Sequence, residues 1–187
     1  MTSTKAQAVT PAGYIGLMPY EDWRQAVELL DLRWVPPSEG QLDLAVQHGM
    51  LLTGDETFAV VAAMLQDWLC PVIHGRKPRS ATGEQIELLR ELAGSALGAR
   101  VERLTINIAS AWIGCWIARR RAAELRRLQV HRGDLVELRR VFPNTGEVII
   151  SRHVVTSIGR DGLVYVHGQN PPCARPDELE VVAKLVP

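Results

Sequence analysis

The stretch "LRRLQVHRGDLVELRRV", residues 125–141, holds the change that decides the fold. Up to Leu128 the apolar residues recur every three or four positions, as on one face of a helix. From Gly133 onward they follow a two-residue period, as on one face of a strand. The chain therefore reads as helices first and strands afterwards, an α+β protein.

Working back from this point, the spacing predicts a long helix from Thr105 to about Leu128. Its apolar face is Ala109, Trp112, Ile113, Trp116 and Ile117. Three earlier stretches fit the capping box S/T-x-x-E/Q: "SEGQ" at Ser38–Gln41, "TGDE" at Thr53–Glu56 and "TGEQ" at Thr82–Gln85. In that motif the hydroxyl accepts from an orphan N–H of the first turn, and the Glu or Gln reaches back to the cap. Each opens a helical pattern: Leu42, Ala45 and Val46; then Phe58, Val61, Leu65 and Trp68; then Ile86, Leu89 and Ala93. A further helix is predicted to begin near Pro19, with Glu21 and Asp22 at the positive end of its dipole and Trp23, Val27 and Leu30 facing the core. "VPP" at 35–37 stops it. "PVIHGRKPRSA", residues 71–81, reads as an exposed Pro/Gly/basic loop.

After His131, "GDLVELRRV", "GEVIISRHVVTSI", "LVYVH" and "ELEVVAKLV" are rich in β-branched residues and separated by "FPNTG" and "GRDG" turns. Four or five such strands predict a small SH3-like barrel or a curled antiparallel sheet. The expected organisation is a flexible lead-in over 1–18, a helical domain of five helices in a bundle over 19–129, and a small β domain over 130–187.

Composition agrees with a folded protein: 47% of the 187 residues are hydrophobic and 22% charged. "FAVVAAMLQDWLC" is interrupted by Gln66 and Asp67, short of the ~18 apolar residues a membrane span needs. "MTSTKAQAVTPAG" has no apolar export core, so a cytoplasmic location and no membrane contact are expected. Cys70, Cys115 and Cys173 form no CxxC. Cys115, within "AWIGCWI", reads as a buried small hydrophobe. Cys70 and His74 resemble half a metal site, but Pro71 argues against the helix that would align them and no second pair follows. No metal and no cofactor are expected.

The formal net charge is zero, yet it is segregated. Residues 1–60 carry three cations against eight acids, and residues 101–140 nine arginines against four acids. At 100° per residue, Arg119, Arg120, Arg126 and Arg127 fall within an arc of roughly 120°, with Ala123 at its centre. The stripe is about 12 Å long, the reach of three to four nucleotide steps at ~3.4 Å. Arginine favours bidentate phosphate contacts, and a small residue among four guanidinium groups admits a sugar-phosphate backbone. Arg132, Arg139, Arg140 and Arg152 extend the cationic set into the β region. Phosphate contacts of this kind position a nucleic acid, RNA or DNA, without reading its sequence. The plain alternative is a solvated face, or arginines paired with the acidic N-terminal helices. Phe142 and Tyr165 are the only aromatics in the β region, too few for a base-stacking sheet.

Residues 81–117 carry the pattern AT-x-x-Q-(I/L)-x-x-L-R-x-L-A, a turn, then LT-x-x-x-AS-x-x-I. Ala81, Thr82, Gln85, Leu89, Arg90 and Leu92 match its first half, and Leu104, Thr105, Ala109, Ser110 and Ile113 the second. The segment resembles a short helical module of phage and plasmid proteins, and the resemblance implies the company of DNA-processing proteins.

No G-x-S-x-G, P-loop or H-E-x-x-H occurs. Asp134 and Glu137 read as a turn acid and a strand residue. Asp177, Glu178 and Glu180 stand badly spaced from Lys184, and no histidine pairs locally with a serine or cysteine. The sequence thus points to a non-catalytic, nucleic-acid-binding accessory protein working within a larger complex. The alternative is a protein–protein adaptor, or an inhibitor of a nucleic-acid enzyme, acting through Glu21, Asp22, Glu28 and Asp31. An open positive strip favours the first reading, and a strip covered by Glu21, Glu28 or Asp31 the second.

Overall fold

The computed structural model describes residues 22–185 apart from Pro143 and Pro171. The 1–18 lead-in, Pro19 and Glu21 lie outside the described residues. Five α-helices come first: α1 (Trp23–Asp31), α2 (Glu39–Gln47), α3 (Phe58–His74), α4 (Gly83–Ala93) and α5 (Ile106–Leu128). Five strands follow: β1 (Leu135–Val141), β2 (Val148–Ile158), β3 (Val164–Val166), β4 (Cys173–Ala174) and β5 (Leu179–Ala183). All strand pairs are antiparallel, in the order β4-β3-β2-β1-β5. The fold is α+β, and the sheet is open, ending in β4 on one side and β5 on the other.

The helix starts follow local chemistry. Ser38 and Thr82 form complete capping boxes with Gln41 and Gln85, while Thr105 caps α5 through Ile108 N–H. Asp22 caps α1 by accepting from Arg24 N–H. The Thr53 box behaves differently. Glu56 does reach back to Thr53 N–H, at 3.0 Å, but α3 starts only at Phe58, capped by Thr57. The four residues 53–56 instead form a clamp, in which Arg100 binds Thr53 and, at 2.8 Å, the Asp55 carboxylate. Pro71 also fails to end its helix. α3 runs on to His74 and stops at Gly75, which takes the left-handed conformation (φ 61°). Proline here removes one amide in the last turn and a half, where the ladder is about to end anyway.

Residues that share the sequence's apolar faces divide between two cores. The first half of α5 packs Ala109 and Trp112 with Val60, Leu89, Leu97 and Val101. Its second half turns Ala118, Ala122, Leu125 and Leu128 towards Ala26, Val27 and Leu30 of α1 and towards all five strands, through residues such as Val136, Ile158, Val164, Ala174 and Leu179. A single helix of 23 residues thus serves both clusters, and α1 belongs with the sheet. α2 departs from expectation: Ala45 is buried, but Leu42 and Val46 are exposed.

The 3.6-to-2 switch is built by the turn itself. Gln129 takes a left-handed conformation (φ 47°) after α5, and Lys184 at the end of β5 donates to the carbonyls of Leu128 and Gln129 at 3.3 and 2.6 Å. A cation at a helix C-terminus is favoured by the exposed carbonyls there. Asp134, 1% exposed, accepts from His131 N–H and Leu185 N–H, both at 2.8 Å, and so joins the turn to the chain beyond β5.

β5 pairs only with Leu135–Leu138 of β1, and β3 only with Val155–Ile158 of β2. Arg139–Val141 and Val148–Ile150 therefore pair only with each other within the sheet. Val141, Phe142, Val148, Ile149 and Ile150 stand exposed there.

Candidate nucleic-acid interface

The second half of α5 buries Ala118, Ala122, Leu125 and Leu128, so the opposite side of the helix faces outward. Arg119, Arg120, Ala123, Arg126 and Arg127 all lie exposed on that side. The arc drawn from the helical period is therefore a real surface.

Each of its arginines is also engaged within the fold. The Arg119 guanidinium stands 4.9 Å from the Trp34 ring and 5.4 Å from the Trp116 ring, a cation–π arrangement. Arg120 donates to the Glu91 carbonyl at 3.0 Å and lies 3.7 Å from its carboxylate. Arg126 pairs with Asp31, and Arg127 with Glu124 at 2.7 Å. Arg121, which the helical wheel sets off the stripe near Glu124, donates instead to the Asp161 carbonyl at 2.7 Å. The charged members stay half exposed, at 53% for Arg120, 49% for Arg126 and 59% for Arg127. Ion pairs this exposed hold a side chain in place at a net worth of about 0–1 kcal/mol each.

The cations of the β region lie on more than one surface. Strand alternation puts Arg140 on the side of Val136 and Leu138, where it donates to the Cys173 carbonyl at 2.8 Å. Arg139 points to the opposite face, as does Arg152, which faces Glu137 across the β1–β2 register at 3.4 Å. Arg132 is exposed in the turn between α5 and β1. Arg120 and Arg140 line two separate depressions. A groove of about 510 Å³ between α4, α5 and the 3₁₀ turn Pro176–Glu178 is lined by Arg120, Arg121 and Arg175 together with the acids Glu91, Glu124 and Asp177. A second depression of about 470 Å³ is bordered by Arg139, Arg140, Phe142 and, again, Arg175, with Asp177 and Glu178 beside them. Arg175 borders both, held by Glu178 at 3.0 Å and Asp177 at 3.8 Å. Sequence reasoning missed it because only the folded chain sets this 3₁₀ turn beside α4 and α5.

On the acidic side, Asp22 is taken up by the α1 cap and by Arg24 at 3.6 Å, Asp31 by Arg126, and Glu28 is exposed.

Two expectations about chemistry need correction. Cys70 and His74 do share one helix, since α3 passes through Pro71. No group of three or more His, Cys, Asp or Glu side chains suited to a metal comes together among the described residues. A serine and a histidine do pair locally: Ser151 Oγ lies 2.8 Å from His153 Nε2, and His153 Nδ1 lies 3.0 Å from the His167 carbonyl. With Nδ1–H donated to that carbonyl, Nε2 accepts from the serine hydroxyl. A nucleophilic site also needs donors for the developing oxyanion, so the pair alone defines no reaction. Cys115 is buried against Thr57 and the Arg33 carbonyl, and burial raises its thiol pKa, keeping it protonated.

The motif of residues 81–117 has a structural meaning here. Gln85 completes the α4 cap and also donates to Ile106 O at 3.3 Å and to Ser110 Oγ at 2.9 Å. Ala81 N–H donates to Leu104 O, and Arg90 pairs with Glu102. Its two halves are two helix starts tied to each other. Comparison with protein families, with curated proteins and with solved structures finds no match for this chain.

Proposed function

We propose that the protein is a non-catalytic accessory component that holds a nucleic-acid backbone on the outward side of α5, within a larger complex. The observation that carries this reading is the exposed row Arg119, Arg120, Arg126 and Arg127 around Ala123. Its guanidinium groups are oriented in advance by weak contacts that a phosphate can replace. An exposed carboxylate partner is worth about 1 kcal/mol or less, whereas hydrogen bonds to a charged group contribute about 1.5–3 kcal/mol. The similarity of residues 81–117 to a module of phage and plasmid proteins points in the same direction. In this reading the helices act as a bundle. The strand order, with a 3₁₀ turn before β5 and β5 returning to β1, supports an SH3-like sheet beside it.

Two observations favour a protein contact as the second reading. Asp31 pairs with Arg126, and Val141, Phe142, Val148, Ile149 and Ile150 stand exposed where β1 and β2 pair only with each other. Both readings place the protein in the cytoplasm. Electrophoretic mobility shift with short RNA and DNA, comparing wild type with a variant carrying Gln at all four stripe positions, separates them.

A further inference from the structure

A second group of cations lies away from α5's outward side, in the loop after α3. Among the described residues no ion pair or side-chain hydrogen bond engages Arg76, Lys77 or Arg79. They sit in the exposed loop between α3 and α4, on the rim of a cavity of about 440 Å³. The loop is not loosely hung. Ile106 N–H donates to Arg79 O at 3.0 Å, Ala81 N–H donates to Leu104 O at 2.9 Å, and Ser80 bridges Thr105. Pro78 further restricts the backbone between Lys77 and Arg79.

The floor of the cavity carries Asp67 and Asn107. Asp67 is 6% exposed, and its carboxylate is already satisfied by the Thr105 hydroxyl and by Asn107 Nδ2 at 2.6 Å. One amide proton of Asn107 remains available. Three cations against one committed acid leave an excess of two positive charges around a concave site. A phosphomonoester carries about −1.5 to −2 at neutral pH, and a backbone diester only one negative charge. We propose that this cavity binds a phosphomonoester, with Arg76, Lys77 and Arg79 as its cationic wall and Asn107 as a neutral donor. Two sources share that chemistry: the 5′-phosphate end of a nucleic-acid strand, and a free mononucleotide or inorganic phosphate. The site is separate from the α5 stripe and does not depend on it.

The test uses the full chain. Inorganic phosphate is titrated and followed by ³¹P NMR, and two single-stranded oligonucleotides of one sequence, with 5′-phosphate or 5′-hydroxyl, are compared by fluorescence anisotropy. For a strand end, the phosphorylated oligonucleotide binds about tenfold tighter or more, the size of one charge-assisted hydrogen bond. For a free ligand, inorganic phosphate binds and the two oligonucleotides do not differ. In either case the triple variant Arg76→Gln/Lys77→Gln/Arg79→Gln loses the effect, the single Lys77→Gln loses part of it, and the stripe variant keeps it. These exposed side chains make no ion pair or hydrogen bond among the described residues, so circular dichroism of the triple variant matches wild type. The proposal is overturned if wild type neither binds inorganic phosphate nor distinguishes the oligonucleotides. It is equally overturned if the triple variant behaves as wild type.

Discussion

Arg126 of α5 is ion-paired with Asp31, the last residue of α1. Both side chains are about half exposed, at 49% and 50%, so the pair sits in water and either partner is open to exchange. Replacing Asp31 with Asn removes the competitor for Arg126 and a negative charge beside the stripe. Affinity for short duplex DNA then rises about two- to fivefold, and stability falls by about 1 kcal/mol or less. Unchanged affinity means that Arg126 touches no phosphate, and a loss of affinity for a protein partner instead supports the adaptor reading.

The β2–β3 turn rests directly on the helices. Gly162 has φ 76°, and a Cβ there meets Leu30 Cδ1 at 2.8 Å and Arg121 Cβ at 3.1 Å. Gly146, with φ 69°, has open space around it. Gly146→Ala carries only the backbone cost of about 1–2 kcal/mol. Gly162→Ala adds overpacking of about 1–3 kcal/mol on top of that. Urea unfolding of both variants checks the order, and equal losses contradict the close approach of turn, α1 and α5.

A clamp between Asp55 and Arg100 gives stability a dependence on acid. The Arg100 guanidinium holds the Asp55 carboxyl down to about 2 from an ordinary 3.8, with the Thr53 hydroxyl assisting against the cost of burial. The ionised form is therefore favoured by folding. Its contribution is full above pH 3.8 and is lost as the pH falls from 3.8 towards 2. Asp55 is 47% exposed, so water screens the pair and Arg100→Ala costs about 1 kcal/mol or less at pH 7. Unfolding midpoints of wild type and variant converge by pH 2. A gap of the same size at pH 7 and pH 2 contradicts this account.

How much of this was legible in the chain depends on how local the cause is. The start of α5 at Thr105, its end at Leu128 and the boxes at Ser38 and Thr82 follow from a few neighbouring residues, and the sequence shows them. Thr53 carries the same signature but opens no helix, because a distant residue, Arg100, draws Thr53 and Asp55 into a clamp. The two-residue strand β4 is too short for any period to appear, and the return of β5 to β1 is a long-range pairing. The arc of the stripe is legible because it needs only 3.6 residues per turn. Its engagement is not: Glu91 and Trp34 reach Arg120 and Arg119 only through the packing of α4 and the 32–34 turn against α5.

The exposed, weakly held stripe is the centre of the account, and salt dependence tests it most directly. Gln replacements are the right comparison. Glutamate at 120, 126 and 127 would stand against Glu91, Asp31 and Glu124 and unsettle the fold for reasons unrelated to binding. If Arg119, Arg120, Arg126 and Arg127 each neutralise one phosphate of duplex DNA, log K falls with log salt at a slope of about −3.6. Binding then weakens roughly 150-fold between about 50 and about 200 mM salt. The quadruple Gln variant stays cooperatively folded, and its slope drops towards zero as binding is lost. A slope near zero for wild type, or a variant that binds duplex DNA as wild type does, contradicts the account and leaves the arginines as internal braces of α5.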